Sequence, residues 1–257
     1  MQRMSCREVD GFLAMKPDAT LQARVREAAD RFPTLGRAIG NELRLAHAMA
    51  SGAFAPEPAM ETLSRSALGH MLRRSLLRPA SEPMLSALWP QFMGERIQID
   101  AVLALASGLL GGRAVLRTRG EIGPEGPVEG AMMLFEPPER VAAWLPWMNE
   151  ALKFPAGGLA TPAALFAGTI LFHPLVDGNG RLARALFLLG LARTFGFSTP
   201  SIPLTPIFYL LSPGLNKALL AFSRAGEARA LGAALAAVTE AACDAVHWLD
   251  LDLRKRT

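Results

Sequence analysis

Cysteine, tyrosine and β-branched residues are scarce in this sequence, and each shortage closes off a class of protein. The two cysteines, Cys6 and Cys243, lie near opposite ends, which excludes a disulfide framework and the paired spacing of a structural zinc site. A reducing compartment is the simpler expectation. Val, Ile and Thr are few beside Leu, Ala, Arg and Met, whose straight or minimal side chains lose little freedom in a helix. No uninterrupted apolar run reaches the ~20 residues that cross a bilayer. The first sixteen or so residues mix Arg3, Arg7, Glu8 and Asp10 with short apolar stretches, unlike a secretory leader. A cytoplasmic chain with no membrane span is expected, with secretion as an effector by a route that needs no cleaved leader left open. Charge of one sign is missing too. With 27 Lys and Arg against 23 Asp and Glu, the net charge of +4 suits an anionic ligand better than a nucleic-acid surface. Walker-type and dinucleotide fingerprints are absent, since no Gly-Lys-Ser/Thr or Gly-x-Gly-x-x-Gly follows a strand.

What is present is helical. Half of the 257 residues are hydrophobic, enough for one large core or a main domain with a smaller helical one. Asp18 and Thr20 predict the cap of a helix running to about Arg31. Thr34 starts another that stops near Gly52. A Pro-rich stretch at 53–58 precedes helices expected over 60–77, 83–92 and 97–110. Residues 113–122 and 128–135 flank Gly123-Pro124-Glu125-Gly126-Pro127 and predict a β-hairpin. Pro138 restarts the helical pattern, with Trp144 and Trp147 read as core. Thr161-Pro162 is read as a cap and first-turn proline of an uncharged, buried helix ending at His173. Further helices are expected from Arg181 to Phe195 and from Glu227 to the basic end at Arg254-Lys255-Arg256. The division expected is an N-terminal helical region at 1–95, a core at 96–225 and a C-terminal helix at 226–257.

The chemistry is concentrated at 173–184, His-Pro-Leu-Val-Asp-Gly-Asn-Gly-Arg-Leu-Ala-Arg, where the chain turns between two buried helices. Gly178 and Gly180 permit positive φ and close backbone approach, so amides there can form an anion nest at the start of the next helix. Arg181 and Arg184 lie three apart on that helix, at its positive end, where a bound polyphosphate would reconcile like charges with the dipole. Asp177 is the loop's only carboxylate, and one carboxylate with phosphate oxygens and water is a usual Mg²⁺ arrangement. His173 can accept a proton from an attacking hydroxyl. Gly178-Asn179-Gly180 alone would equally describe a turn capping a helix.

This stretch resembles the signature of the Fic family, His-Pro-Phe-x-Asp/Glu-Gly-Asn-Gly-Arg-x-x-Arg, agreeing at every specified position except Leu175, where the family has Phe. The resemblance implies a mainly α, Fic-type helical bundle with a small β-hairpin flap before the motif helix. It implies transfer of AMP from ATP to a Ser, Thr or Tyr hydroxyl of a target protein, with Mg²⁺ required and pyrophosphate released. His173 would be the base, Asp177 the Mg²⁺ ligand, and Asn179 a contact that orients the phosphates. Arg181 and Arg184 would clamp them, and Gly178 and Gly180 would line the anion hole. The hairpin at 113–135 looks like the flap on which the target protein docks by strand addition. Leu175 is expected to anchor the loop in the core with less volume than Phe.

Many members carry an inhibitory helix, Ser/Thr-x-x-x-Glu-Gly/Asn. The segment 34–50 looks like a degenerate version, with Ile39 at the Glu position and Glu42 three residues on. Tyr209 falls where the family places groups near the base. His47, His70 and His247 lack ligand-spaced neighbours and are read as structural or exposed. The same loop would also serve transfer of UMP, phosphate or phosphocholine, because it reads phosphates and not bases. A regulator or toxin-partner protein that binds nucleotide or a helix partner without turnover is the non-enzymatic alternative, and an antitoxin or regulator is left open as a partner.

Overall fold

A computed structural model describes residues 11–12, 15, 18–32, 38–54, 90, 92–94, 96–118, 135–154, 158–196, 206–208 and 211–255. Among these, the regular elements are helices: α1 (Ala19–Arg31), α2 (Ala38–Ser51), α3 (Ile99–Leu110), a 3₁₀ turn (Pro138–Ala143) leading into α4 (Trp144–Ala151), α5 (Ala160–Phe172), α6 (Asn179–Phe195), α7 (Ser212–Ala225) and α8 (Ala228–Arg254). The helices expected over 60–77 and most of 83–92, the centre of the hairpin, and Tyr209 lie outside the described residues.

The helix ends follow local chemistry. Asp18 caps α1, its carboxylate accepting from the Thr20 and Leu21 amides at 2.9 and 3.0 Å. Glycines in the left-handed region close α3 at Gly111, α6 at Gly196 and α7 at Gly226, as expected where only a residue without Cβ turns freely. Thr161 does not cap α5. It lies inside the helix, buried, and its hydroxyl donates to the Ala151 carbonyl at the end of α4 at 3.0 Å.

α5 and α6 form the central antiparallel pair, joined by the motif loop. Every residue of α5 except Ile170 is buried, which accounts for its lack of charge. The two helices approach closely where a Cβ on Gly190 would stand 2.6 Å from the Pro162 backbone. α4 covers α5 on one side, with the Trp147 ring seated where a Gly168 side chain would be. Trp144 is buried and donates to the Thr169 hydroxyl at 3.3 Å, whereas Trp147 is only half-buried. α3 packs on α6. The long α8 is apolar enough by length and composition to cross a membrane. Here its inner face, including Leu231, Leu235, Val238, Ala242, Val246 and Leu249, is spent on the bundle, where it packs against α1, α2, α5 and α7. The N-terminal helices therefore share a core with the C-terminal one.

Candidate active site

The site is built where α5 ends and α6 begins. His173 closes α5 in the left-handed conformation (φ 46°, ψ 57°), the one described non-glycine residue with positive φ. Such a residue is uncommon and reverses the chain sharply. Pro174 to Val176 then run antiparallel to residues 115–117. The Arg117 amide donates to the Pro174 carbonyl at 2.8 Å, the Val176 amide donates to the Val115 carbonyl at 3.0 Å, and Leu116 pairs with Leu175. The described part of the segment expected as the first hairpin strand is thus paired with the motif loop.

Leu175 is fully buried in the core, so the smaller residue performs the anchoring expected of it. Asn179 closes the loop over it. Its Oδ1 accepts from the Leu175 amide at 2.9 Å and its Nδ2 donates to the Leu175 carbonyl at 2.8 Å, the exchange that a neighbouring strand would make. The side chain expected to orient phosphates is therefore turned, in this structure, to the loop's own backbone.

Gly178 takes φ 87° and precedes the first residue of α6. A Cβ there would stand 2.8 Å from Leu110, so sterics as well as φ require glycine. Gly180 does not use positive φ. It lies in the first turn of α6, and among the described residues the one atom within 4 Å of its missing Cβ is an Arg184 guanidinium nitrogen at 3.7 Å. No side chain caps α6 and no acidic residue occupies its first turn. The first-turn amides of a helix have no intrahelical acceptor, and here they sit beside Arg181 and Arg184. That combination suits an anion. Arg181 is held from two sides, donating to the Leu109 carbonyl at the end of α3 at 3.1 Å and lying 3.7 Å from the Asp177 carboxylate.

Asp177 is 81% exposed and also accepts from the Gly178 amide at 2.6 Å. Among the described residues no cluster of three or more His, Cys, Asp or Glu could hold a metal ion. The chain thus fits Mg²⁺ only in the way that ion prefers, with one carboxylate and the remaining ligands from phosphate and water. An anionic group would meet the uncapped end of α6 with the Arg184 guanidinium beside Gly180.

His173 is 7% exposed, and its Nδ1 is buried without a hydrogen-bond partner. Burial lowers the ring's pKa to about 4, opposed by the nearby Ile170 backbone and the Asp177 charge and helped by the Arg117 charge. The ring is consequently neutral at pH 7, as a proton acceptor must be.

Two neighbours of His173 escaped the sequence reading. The Phe135 ring packs on the imidazole, and Arg117, 4% exposed, directs its guanidinium at the end of α5. Arg117 follows Ala114-Val115-Leu116 but precedes Thr118 and Arg119, so nothing local marks it as a buried cation, and its partners come from the end of α5 and from residue 136. The side chains of Ile39 and Glu42 lie outside the described residues, and His47 and His247 are exposed.

The profile of the Fic/DOC family matches residues 97–191. A crystal structure of a Fic family protein from Desulfovibrio desulfuricans G20 shares the fold with a TM-score of 0.57 at 16% identity, over 89% of this chain and 73% of that one. Fic-1 (residues 134–508) from C. elegans aligns with a TM-score of 0.46 at 17% identity, over 88% of this chain and 76% of that one. No curated protein matches the sequence. The matched stretch, residues 97–191, holds α3, the whole of α5, the loop with His173 and Asp177 and the start of α6 with Arg181 and Arg184, and over these residues the chain is similar to the Fic/DOC family.

Proposed function

We propose that this chain is a protein adenylyltransferase, moving AMP from ATP to a Ser, Thr or Tyr hydroxyl of a target protein in the cytoplasm. The observation that carries the reading is the junction of a neutral histidine at the end of α5 with an uncapped helix N-terminus flanked by two arginines. In this reading His173 takes the hydroxyl proton as the target oxygen bonds to the α-phosphorus. The bond from that phosphorus to the bridging oxygen breaks, and pyrophosphate leaves. Arg181 and Arg184, with the first-turn amides of α6, meet the charge on the polyphosphate. Arg181 has to share or release its contact with Asp177 to do so. Asp177 would hold Mg²⁺, which would supply charge neutralisation on the leaving phosphates.

A histidine with pKa near 4 is a weaker base than the task favours, since the best base titrates near working pH. Polyphosphate charge beside the ring raises its pKa, so substrate binding itself strengthens the base. The target is proposed to dock on the flap at 113–135, whose described end at 115–117 already pairs with the motif loop. An antitoxin or regulator acting through 34–50 is not supported by an inhibitory glutamate at Ile39.

Intact-mass measurement of the chain and of lysate proteins after incubation with Mg²⁺ and ATP tests the assignment. An added mass of one AMP is expected. A mass equal to phosphate, or, with other donors supplied, to UMP or phosphocholine as the only adduct, would reassign the donor. No adduct under any condition would leave a nucleotide-binding regulator.

A further inference from the structure

Arg117 sits at a place where three segments meet. Its Nε donates to the His173 carbonyl at 2.9 Å, and its Nη2 donates to the Phe172 carbonyl at 2.9 Å and to the Glu136 carbonyl at 2.5 Å. Its own amide holds the Pro174 carbonyl. The last carbonyls of a helix have no intrahelical donor and carry the negative end of its dipole. A guanidinium, planar and always charged, meets several such acceptors in one fixed geometry. The Glu136 amide adds a bond to the Leu171 carbonyl at 2.8 Å, and Phe135, one residue earlier, lies on the His173 ring. The αL turn at His173 is thereby gripped from the helix side, from residue 136 and from the segment at 113–118.

We propose that Arg117 is the positioning residue for His173: by seating its guanidinium on the carbonyls of Phe172, His173 and Glu136 it fixes where the imidazole stands relative to the start of α6. The proposal rests on the adenylyltransferase reading for its effect on rate, but not for its effect on the loop. Placement errors near 1 Å cost about a hundredfold in rate, so the fork geometry matters beyond the charge. Lysine keeps the charge without the fork, and glutamine keeps hydrogen bonding without the charge.

The test compares the wild-type chain with Arg117→Lys and Arg117→Gln. Amide exchange at Leu175 and Val176 is followed with the α8 amides as reference. ATP affinity is measured by titration, and the rate of self-labelling by ATP carrying label on the α-phosphate. Exchange at Leu175 and Val176 is expected to rise at least tenfold in both variants while α8 stays protected, with ATP affinity within about twofold of wild type and labelling about a hundredfold slower. Wild-type exchange and labelling in Arg117→Lys would overturn the proposal, as would a loss of rate explained wholly by lost ATP binding. If Arg117→Gln does not fold, Arg117→Lys decides alone. If the wild-type chain labels nothing, the functional reading fails, and the exchange result still judges whether Arg117 holds the loop.

Discussion

The Phe135 ring lies over the His173 imidazole, with centroids 3.9 Å apart and planes inclined by 34°. An aromatic lid of this kind removes water from the ring and explains why burial is the leading cause of its lowered pKa.

That shift makes stability depend on pH in a stated direction. His173 titrates near 6.5 in the unfolded chain and near 4 in the folded one. Between those values the unfolded chain holds a proton that the folded one refuses, so stability falls as pH falls through this window and is unaffected by this group above it. At pH 4.5 the loss attributable to His173 is about 2–3 kcal/mol. Urea unfolding at pH 7.5 and 4.5 should show wild type losing more than His173→Gln by roughly that amount. Phe135→Ala should narrow the difference. An identical pH dependence in wild type and His173→Gln would mean the ring is not buried as described.

Asn179 is predicted to matter first for the loop. Its side chain satisfies both backbone groups of buried Leu175, and leaving a buried polar group without a partner costs about 1–3 kcal/mol. Asn179→Ala should therefore destabilise the chain by ~2–4 kcal/mol, read from the urea midpoint, and should raise amide exchange at Leu175. A variant with wild-type stability would show that water replaces the side chain there.

The two glycines of the loop should separate folding from binding. Gly178→Ala meets both a positive φ and a contact of 2.8 Å with Leu110, and should lose ~2 kcal/mol or more in thermal unfolding. Gly180→Ala adds a methyl group in a helical position with room for it, so stability should be unchanged or slightly higher. Its cost should appear in ATP affinity, because the methyl group enters the space proposed for phosphate. Equal stability losses in the two variants would contradict this division.

Leu175→Phe restores the residue found in the family signature, yet here it should not help. Leu175 is fully enclosed, and enlarging a packed core residue costs about 1–3 kcal/mol. A lower melting temperature is expected. A higher one would mean that space remains beneath the loop.

Features governed by neighbours in the chain were legible in the sequence. Asp18 announced α1, Gly196 ended α6, and the uncharged run to Phe172 marked the helix that is buried on nearly every side. Thr161 misled because its partner, Ala151, belongs to another helix. Gly180 was read as a positive-φ position although α6 has already begun there. The site's residue types were readable at 173–184, but what holds them was not. Arg117 reaches His173 across a sequence separation of 56 residues, and the Phe135 contact likewise arises from folding, so no spacing along the chain could reveal either.

His173 is the proposed base for transfer of AMP. The most direct measurement of that role is incorporation of label from the α-phosphate of ATP, with Mg²⁺, into the chain itself and into lysate proteins, comparing wild type with His173→Ala at equal ATP occupancy. Labelling by wild type is expected, with a loss of about a hundredfold or more in the variant, the scale of general-base assistance. Full labelling by His173→Ala would contradict that role.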